Sequence, residues 1–209
     1  MEQTSKNKQL IVLEHNKDLE IDINPLEDEL EQEIYMIDLF PGDSEINLKV
    51  NLKANSKSLI HVLILNFDQY KKKLTTHLMF DQHYAECENN VRVIGFNEST
   101  TAIQLNGTIG KNTRGNGVYQ NINASLFDEA KVIGEPNLII NSNDVKAGHS
   151  LKVGSISQDI LFYLQSRGIS HYASIRLILE SFFNEVFANF DDQIKDKYAD
   201  IINSIFAKF

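Results

Sequence analysis

The sequence is poor in the residues that stabilise small disulfide-rich or metal-binding domains. Its 209 residues include one cysteine, Cys87, three prolines and no tryptophan. A single thiol cannot form a disulfide within the chain, nor supply the about four thiolates of an all-cysteine metal site. No apolar run approaches the ~18 residues that a membrane-spanning helix needs, and residues 1–10 lack the apolar segment of a secretory signal. The sequence therefore predicts a soluble, cytoplasmic protein with no membrane partner.

Basic charge is scarce in one part of the chain. The net charge is −9, and residues 14–45 contain twelve aspartates and glutamates against one basic residue, Lys17. No basic stripe is present elsewhere, which argues against a nucleic-acid partner. We interpret the acidic segment as a solvated face, with a docking surface for a basic partner as the alternative.

Most of the chain alternates apolar and polar residues with a period of two. Ile46, Leu48, Val50 and Leu52 alternate with polar residues, as in a strand with one buried face. Further strand-like runs, separated by short polar breaks, are Leu10–Leu13, Leu19–Ile23, Ile34–Leu39, Ser58–Phe67, Lys73–Phe80, Val91–Phe96, Ala102–Gly110, Val118–Leu126, Asn137–Ile140 and Leu151–Ile156. This pattern indicates a sandwich, a barrel or a β-solenoid, and no repeated sequence motif selects among them.

Asparagines near the ends of these runs favour the solenoid. Asparagine tolerates the left-handed backbone conformation that tight corners require. The residues concerned are Asn106, Asn112, Asn116, Asn121, Asn123, Asn137, Asn141 and Asn143. Because asparagine-rich loops occur in any β-fold, this pattern leaves the sandwich and the barrel open.

The period changes to that of helices at Ser157. Ser157 is a plausible N-cap, and Gly168 a stop signal, for a first helix. Ser170 can cap a second helix, and Asp191 or Asp192 a third. The sequence therefore predicts a β-body at residues 1–156, whose residues 1–45 are its acidic N-terminal part, and a helical domain at residues 157–209.

Residues Gly107–Thr113 resemble a phosphate-binding loop without fulfilling its pattern. Such a loop needs a glycine, four residues and then Gly-Lys-Ser/Thr, between a strand and a helix. Leu105 stands where the first glycine is required, Asn112 follows the lysine, and another strand is predicted next. We therefore reject ATP binding by this chain.

Potential metal ligands crowd one further stretch, and no catalytic set stands out. The residues are His77, His83, Glu86, Cys87 and Glu88. Their spacing matches no standard metal site, and neighbouring residues in a strand point to opposite faces. We interpret them as unrelated polar residues and expect no metal site. No Ser-His-Asp set or carboxylate pair can be singled out from order alone, so we expect no enzyme.

The last third of the chain resembles a known family. The segment from Glu135 to Gly154, with Asp144-Val145-Lys146 and His149, is followed by Phe162-Tyr163-Leu164-Gln165-Ser166-Arg167-Gly168-Ile169. These residues resemble the C-terminal signature of the SufB/SufD family of iron–sulfur cluster assembly scaffolds, and the SufD branch in particular. The resemblance covers roughly residues 100–190, and the octet Phe162–Ile169 is its most specific part.

The resemblance implies a fold, partners and roles for named residues. The fold implied is mainly β, a right-handed parallel β-helix followed by a small C-terminal helical domain. The implied partners are a SufC-type ATPase, and a SufB-like or identical subunit bound through the β-helix. The resemblance places His149 at the cluster-assembly interface. It assigns ATPase docking to Phe162, Tyr163, Leu164, Arg167 and Gly168. No tightly bound cofactor is expected, and a transient iron–sulfur cluster would lie at the shared interface.

The sequence departs from the family pattern at two points. Ala147 and Gly148 stand where the family often has a cysteine before the histidine, and Ser150 replaces the usual glycine. The chain is also shorter than typical members, which questions cluster ligation by this subunit. Two alternatives stay open: a carbohydrate-active enzyme on a β-helix, and an interaction module that has lost cluster work. The sequence also leaves open whether the chain pairs with itself or with a SufB-like subunit.

Overall fold

Alternating apolar and polar residues form strands along most of the first 155 residues. The computed structural model describes residues 7–13, 18–23, 31–155 and 158–187, and a few single residues after them. The described residues contain eleven strands and two helices, namely β1 (Asn7–Leu13), β2 (Asp18–Ile23), β3 (Glu31–Asp38), β4 (Ser44–Asn51), β5 (Lys57–Asn66), β6 (Lys71–Phe80), β7 (Glu86–Gly95), β8 (Thr100–Ile109), β9 (Asn116–Leu126), β10 (Lys131–Ile140), β11 (Val145–Gly154), α1 (Gln158–Ser166) and α2 (His171–Phe187).

Alternate strands stack in parallel into two sheets. Sheet A has the order β1-β3-β5-β7-β9-β11, and sheet B has the order β10-β8-β6-β4-β2. Each strand pairs with the strand two positions along, so Asn7 pairs with Gln32 and Glu86 with Gly117. One turn of 25–31 residues therefore adds one strand to each sheet. This is a parallel β-helix, as the family resemblance implies, and the sandwich and the barrel are wrong.

The core of the β-helix is the column of inward side chains between the two sheets. In β8 every second residue from Thr101 to Ile109 is buried, and the residues between them are partly exposed. Leu74, Leu78 and Ile103 are among the apolar residues buried in this way. Burial of each such side chain contributes about 1.5–3 kcal/mol, which makes the stacked inward positions the main source of stability.

A short sequence repeat does mark one corner of the β-helix. The pairs Phe67-Asp68, Phe96-Asn97 and Phe127-Asp128 follow β5, β7 and β9, and their second residues have φ of 58°, 55° and 53°. The side chain of Asn97 accepts a hydrogen bond from the Asp68 N–H at 3.0 Å, and that of Asp128 accepts one from the Asn97 N–H at 3.1 Å. The rings of Phe96 and Phe127 stack at 4.3 Å. This dipeptide recurs once per turn at spacings of 29 and 31 residues, which are too irregular to stand out as a repeat in the sequence.

Most of the asparagines assigned to corners lie inside strands instead. Among them, Asn112 has a positive φ, of 61°. Asn106 lies in β8 and Asn121 in β9, where the Asn121 amide donates a hydrogen bond to Asn90 Oδ1 at 2.9 Å. These residues form amide ladders between successive turns, because parallel in-register strands place equal side chains one above the other. The corner interpretation is wrong for the asparagines within strands.

The last two strands are longer than the sequence predicts. The runs Asn137–Ile140 and Leu151–Ile156 begin only in the second halves of β10 and β11; β11 ends at Gly154, and Ile156 lies outside the described residues. Pro136 lies inside β10, which is the edge strand of sheet B. Proline is tolerated on an edge strand because one side of the strand needs no ladder hydrogen bonds. Gly134 and Pro136 in β10 and Gly148 in β11 interrupt the apolar–polar alternation, so the sequence pattern does not predict the first halves of these strands.

Residues Ile156–Phe209 form a compact unit separate from Met1–Ser155. After α1, Gly168 has φ +83° and its N–H donates to Gln165 O at 2.9 Å, while the Ile169 N–H donates to Leu164 O at 3.2 Å. This is a Schellman motif, and it confirms Gly168 as the stop of the helix. The hydroxyl of Ser170 accepts a hydrogen bond from the Ala173 N–H at 3.2 Å, which confirms the cap of α2.

Two expectations about the helical unit need separate statements. The third helix, expected from Asp191 or Asp192, lies largely outside the described residues, as does the N-cap Ser157. Neither α1 nor α2, the helices of the described part of the chain, is long and apolar enough to cross a membrane.

Candidate functional site

The last turn of the β-helix carries two free strand edges. β10 ends sheet B and β11 ends sheet A, and no other strand of the described part of the chain pairs with their outer edges. Five large apolar side chains of this turn are exposed: Ile133, Ile139, Ile140, Leu151 and Val153. Unpaired backbone N–H and C=O groups beside exposed apolar side chains form a surface suited to binding another chain.

His149 lies in the middle of β11, within this last turn. It pairs with Gln120 of β9, which in turn pairs with Asn89 of β7. Both of these residues point into the core, so His149 occupies the inward column, where the end of the β-helix leaves it exposed. An imidazole exposed at the end of the β-helix can donate an electron pair to a metal ion that lies outside the core. This position suits the interface role that the family resemblance implies for His149.

The single thiol cannot assist His149 in binding a metal. Cys87 of β7 pairs with Val118, and Val118 pairs with Ala147, so the thiol lies two turns below Ala147 in the same column. Burial raises the pKa of the Cys87 thiol far above its usual range, and the carboxylate of Glu88 adds to the rise. This shift disfavours the thiolate that metal ligation requires, and the thiol lies buried in the core two turns away from His149.

The potential metal ligands between His77 and Glu88 lie on different faces of the β-helix. His77 lies on the outer face of sheet B, Glu86 and Glu88 lie on the outer face of sheet A, and Cys87 points into the core between them. Among the described residues, no three His, Cys, Asp or Glu side chains are placed to hold a metal ion together. Residues 107–113 join β8 to the turn before β9, without the helix that a phosphate-binding loop requires.

The residues assigned to ATPase docking lie in and just after α1. The side chains of Phe162 and Tyr163 are 73% and 56% exposed, and that of Leu164 is partly buried. The guanidinium of Arg167 lies over the ring of Tyr163, 5.4 Å from its centroid. Gly168 supplies the positive φ that ends the helix. Arg167 follows Tyr163 by four residues, a spacing that brings side chains together at a helical turn. The structure therefore presents an exposed aromatic surface on α1, flanked by one cation.

A groove on the outer face of sheet A was missed by the sequence analysis. It has a volume of about 440 Å³ and lies where β3, β5, β7, β9 and β11 begin. Its charged lining residues are Glu31, Glu33, Lys57, Glu86, Glu88 and Lys146. Glu31, Lys57 and Glu86 occupy equivalent positions in three successive turns, and Gly117 separates Glu86 from Lys146 at the same position, which only the register reveals. Charges of opposite sign stacked in this way stabilise neighbouring strands.

Comparison with known proteins identifies the family of the chain. Residues 33–182 match the family model of the SufBD core domain of SUF-system iron–sulfur cluster assembly proteins. An iron–sulfur cluster assembly SufBD family protein of Mycobacterium tuberculosis is 30% identical over 138 residues, which are 61% of this chain and 35% of that protein. SufD of Escherichia coli is 36% identical over 70 residues, which are 34% of this chain and 16% of that protein.

A plant protein is also similar to part of the chain. The chloroplastic protein ABCI7 of Arabidopsis thaliana is 32% identical over 111 residues, which are 53% of this chain and 20% of that protein. The matched segments therefore span about a third or less of the relatives' own length. The family match covers most of the β-helix, β10 and β11, His149 and the exposed surface of α1. The chain belongs to the SufBD family of iron–sulfur cluster assembly proteins.

Proposed function

We propose that this chain is a SufD-like scaffold subunit of an iron–sulfur cluster assembly complex. It docks a SufC-type ATPase through α1, pairs through the last turn of the β-helix with a SufB-like subunit or a second copy, and has no catalytic site of its own. The cluster is cargo held at the shared interface. A cytoplasmic location stays part of the proposal, although the name of one relative places that protein in the chloroplast.

The exposed surface of α1 carries the proposal of ATPase docking. Phe162 is 73% exposed and Tyr163 is 56% exposed, although α1 buries Leu161. Large aromatic side chains are enriched at protein interfaces, where they supply much of the binding free energy. The cation–π contact between Arg167 and Tyr163 fixes both side chains before binding, which reduces the entropy lost on docking. The surface is thus suited to a protein partner.

A pull-down with the purified SufC-type ATPase of the same genome tests this docking. Phe162→Ala removes an exposed aromatic side chain, and such residues often cost 2 kcal/mol or more at the centre of an interface. We expect a loss of about 30-fold in affinity or more. Tyr119→Ala removes another exposed aromatic side chain, 47% exposed, from β9 and serves as the control. Undiminished capture by the Phe162→Ala and Arg167→Ala variants would contradict docking through α1.

The free edges of β10 and β11 support pairing through the last turn. Ile139 and Leu151 are exposed there beside unpaired backbone groups. Addition of strands from a partner would bury these side chains and satisfy the backbone groups together. We therefore expect Ile139→Lys with Leu151→Lys to abolish pairing, because ammonium groups would become buried in the interface.

Sedimentation of the purified chain, alone and with a SufB-like subunit, tests the pairing. The wild type should sediment as a dimer in at least one of the two samples, the chain alone or the chain with a SufB-like subunit. The double lysine variant should sediment as a monomer in both samples. Lys49→Glu, on the outer face of β4, changes an exposed charge away from the last turn and serves as the control. A wild-type chain that stays monomeric in both mixtures would contradict the pairing.

His149 is the residue of this chain that we propose to contact the cargo cluster. Because the Cys87 thiol is buried in the core two turns away from His149, we expect thiolate ligands for the cluster to come from the partner subunit. In a reconstituted complex, His149→Ala should slow cluster formation while leaving the complex intact. His77→Ala, on the outer face of sheet B, is the control. Equal rates for wild type and His149→Ala would favour an interaction module that has lost cluster work.

The glutamate-lined groove is the observation that favours the enzyme alternative. Solenoid enzymes that act on polysaccharides place carboxylates along such a face, and four glutamates line the groove. However, its carboxylates have cationic neighbours: Lys8 lies 3.3 Å from Glu33, and Lys57 lies in register between Glu31 and Glu86. We assign the charges to strand pairing. The test is to incubate the purified chain with neutral and anionic polysaccharides and to measure the release of new sugar ends. Release by the wild type that is lost in the Glu86→Gln variant would reverse this assignment.

A further inference from the structure

Two amide side chains lie one above the other inside the β-helix, directly below His149. Asn89 of β7 and Gln120 of β9 occupy the same inward column and are fully buried. The Asn89 amide nitrogen donates a hydrogen bond to the Thr76 hydroxyl at 3.0 Å. Asn89 Oδ1 and both polar atoms of the Gln120 side chain have no hydrogen-bond partner among the described residues. Buried polar atoms in folded proteins are almost always paired, with protein groups or with ordered water.

The neighbouring residues show why the two amides do not pair with each other. Asn90 and Asn121 follow Asn89 and Gln120 directly and occupy the next column, on the outer face of the same strands. There the Asn121 amide nitrogen donates to Asn90 Oδ1 at 2.9 Å. Side chains of equal length stacked in register place donor and acceptor in contact. Glutamine is longer than asparagine by one methylene, so the amide of Gln120 is displaced from that of Asn89.

The opposite sheet leaves room for the displaced amide. Gly107 of β8 points inward, and a Cβ added there would lie 3.2 Å from Gln120 Nε2 and 2.9 Å from a methyl carbon of Leu138. The glycine therefore allows the Gln120 amide to extend across the core between the two sheets. Buried water requires two to four polar partners, and the three unpaired amide atoms supply them.

We propose that Asn89 and Gln120 form an internal hydration site, which holds ordered water within the β-helix core below His149. The water accepts a hydrogen bond from the Gln120 amide nitrogen and donates to the side-chain oxygens of Asn89 and Gln120. This site is independent of the proposed scaffold function, because it rests on the register of β7 and β9 and on Gly107.

A high-resolution crystal structure of the purified chain tests the site directly. Difference density calculated without solvent should show water about 2.7–3.2 Å from Asn89 Oδ1 and from the Gln120 amide. The same structure of Gln120→Asn should show a direct hydrogen bond from the new amide to Asn89, as between Asn121 and Asn90, and loss of the water. A wild-type Gln120 amide bonded to protein groups alone would overturn the proposal.

Thermal unfolding of Gln120→Leu supplies a second test in solution. Leucine removes both amide atoms and leaves Asn89 Oδ1 and its water with fewer partners, so the midpoint should fall by a few degrees. A dry, unpaired glutamine amide would give the opposite sign, because its removal would relieve the cost of burying it. A midpoint above that of the wild type would therefore contradict the hydration site.

Discussion

Lys72 and Asp38 form an ion pair inside the β-helix, and its disruption gives a sharp test of the packing. The Lys72 ammonium lies 2.7 Å from Asp38 Oδ1, and both side chains are 1% exposed. Asp38 Oδ2 accepts a hydrogen bond from the Ser44 hydroxyl at 2.6 Å, and Oδ1 accepts one from the Phe40 N–H at 3.0 Å. Burial lowers the pKa of Lys72, and the carboxylate of Asp38 opposes this change. The pair depends on both partners.

Replacement of Lys72 by methionine keeps most of the apolar stem of the side chain and removes its charge. The carboxylate of Asp38 then stays buried with two neutral hydrogen-bond donors and no cation. Removing one partner of a buried ion pair costs about 3–5 kcal/mol. For a chain of this size, 1 kcal/mol corresponds to about 2–4 °C in the unfolding midpoint. We therefore expect the midpoint to fall by about 6–20 °C.

The assay is thermal unfolding followed by far-ultraviolet circular dichroism, since the chain has no tryptophan. The control is Lys73→Met. Lys73 is the next residue, and its ion pair with Glu45 spans 2.8 Å on the exposed face of sheet B. Exposed ion pairs contribute little, so this variant should unfold with the wild type. The double variant Lys72→Met with Asp38→Asn removes both charges but keeps an acceptor for Phe40, and should recover most of the loss.

Two outcomes would refute the reasoning. If Lys72→Met unfolds at the wild-type midpoint, the ammonium and the carboxylate are not buried together. If Lys73→Met lowers the midpoint as far as Lys72→Met does, the loss follows from removing lysine in β6 and not from burial of the pair.

Two further predictions concern pH and backbone conformation. Burial, together with the neighbouring Glu33 carboxylate, raises the pKa of Tyr35 to about 12. The unfolded chain loses this proton near pH 10, so the free energy of unfolding should fall as the pH rises from about 10 to 12. Urea titrations at several pH values measure this, with Tyr35→Phe as the control. The same pH dependence in the wild type and in Tyr35→Phe would contradict the prediction. Gly115 has φ +66°, and a Cβ there would lie 2.3 Å from the ring of Tyr84, whereas nothing lies within 4 Å of a Cβ at Gly154. Gly115→Ala should therefore lower the unfolding midpoint and Gly154→Ala should not, and equal midpoints would refute the assigned corner geometry.

The sequence predicts the β-helix well where its strands alternate strictly. The runs around Ile46 and Ile103 show apolar residues at every second position, and these residues are buried in the structure. Prediction was poorer for β10 and β11, because Pro136 and Gly148 interrupt the pattern in strands that form the edges of the sheets. An edge strand forms ladder hydrogen bonds on one side only, and fewer of its side chains are buried. Its sequence is therefore less constrained.

Features that depend on register were not accessible from the sequence. The Phe-Asp/Asn corners, the glutamate-lined groove and the column of Asn89 and Gln120 all combine residues 26–31 positions apart. The turn length varies along the chain, so no fixed period connects them. By contrast, the end of α1 at Gly168 and the cap of α2 at Ser170 are local, and the sequence predicts both correctly. The roles of His149 and of the α1 surface stay predictions that the family resemblance supplies.

Light scattering on a mixture of the purified chain and its SufC-type ATPase tests the central claim most directly. We expect a complex that contains both proteins in a fixed ratio, that is weakened by Phe162→Ala and that is unchanged by Tyr119→Ala. The measurement follows size-exclusion chromatography of the mixture. If the two proteins elute from the column separately at concentrations well above the micromolar range, or if Phe162→Ala binds as the wild type does, α1 is not the docking surface of an assembly scaffold.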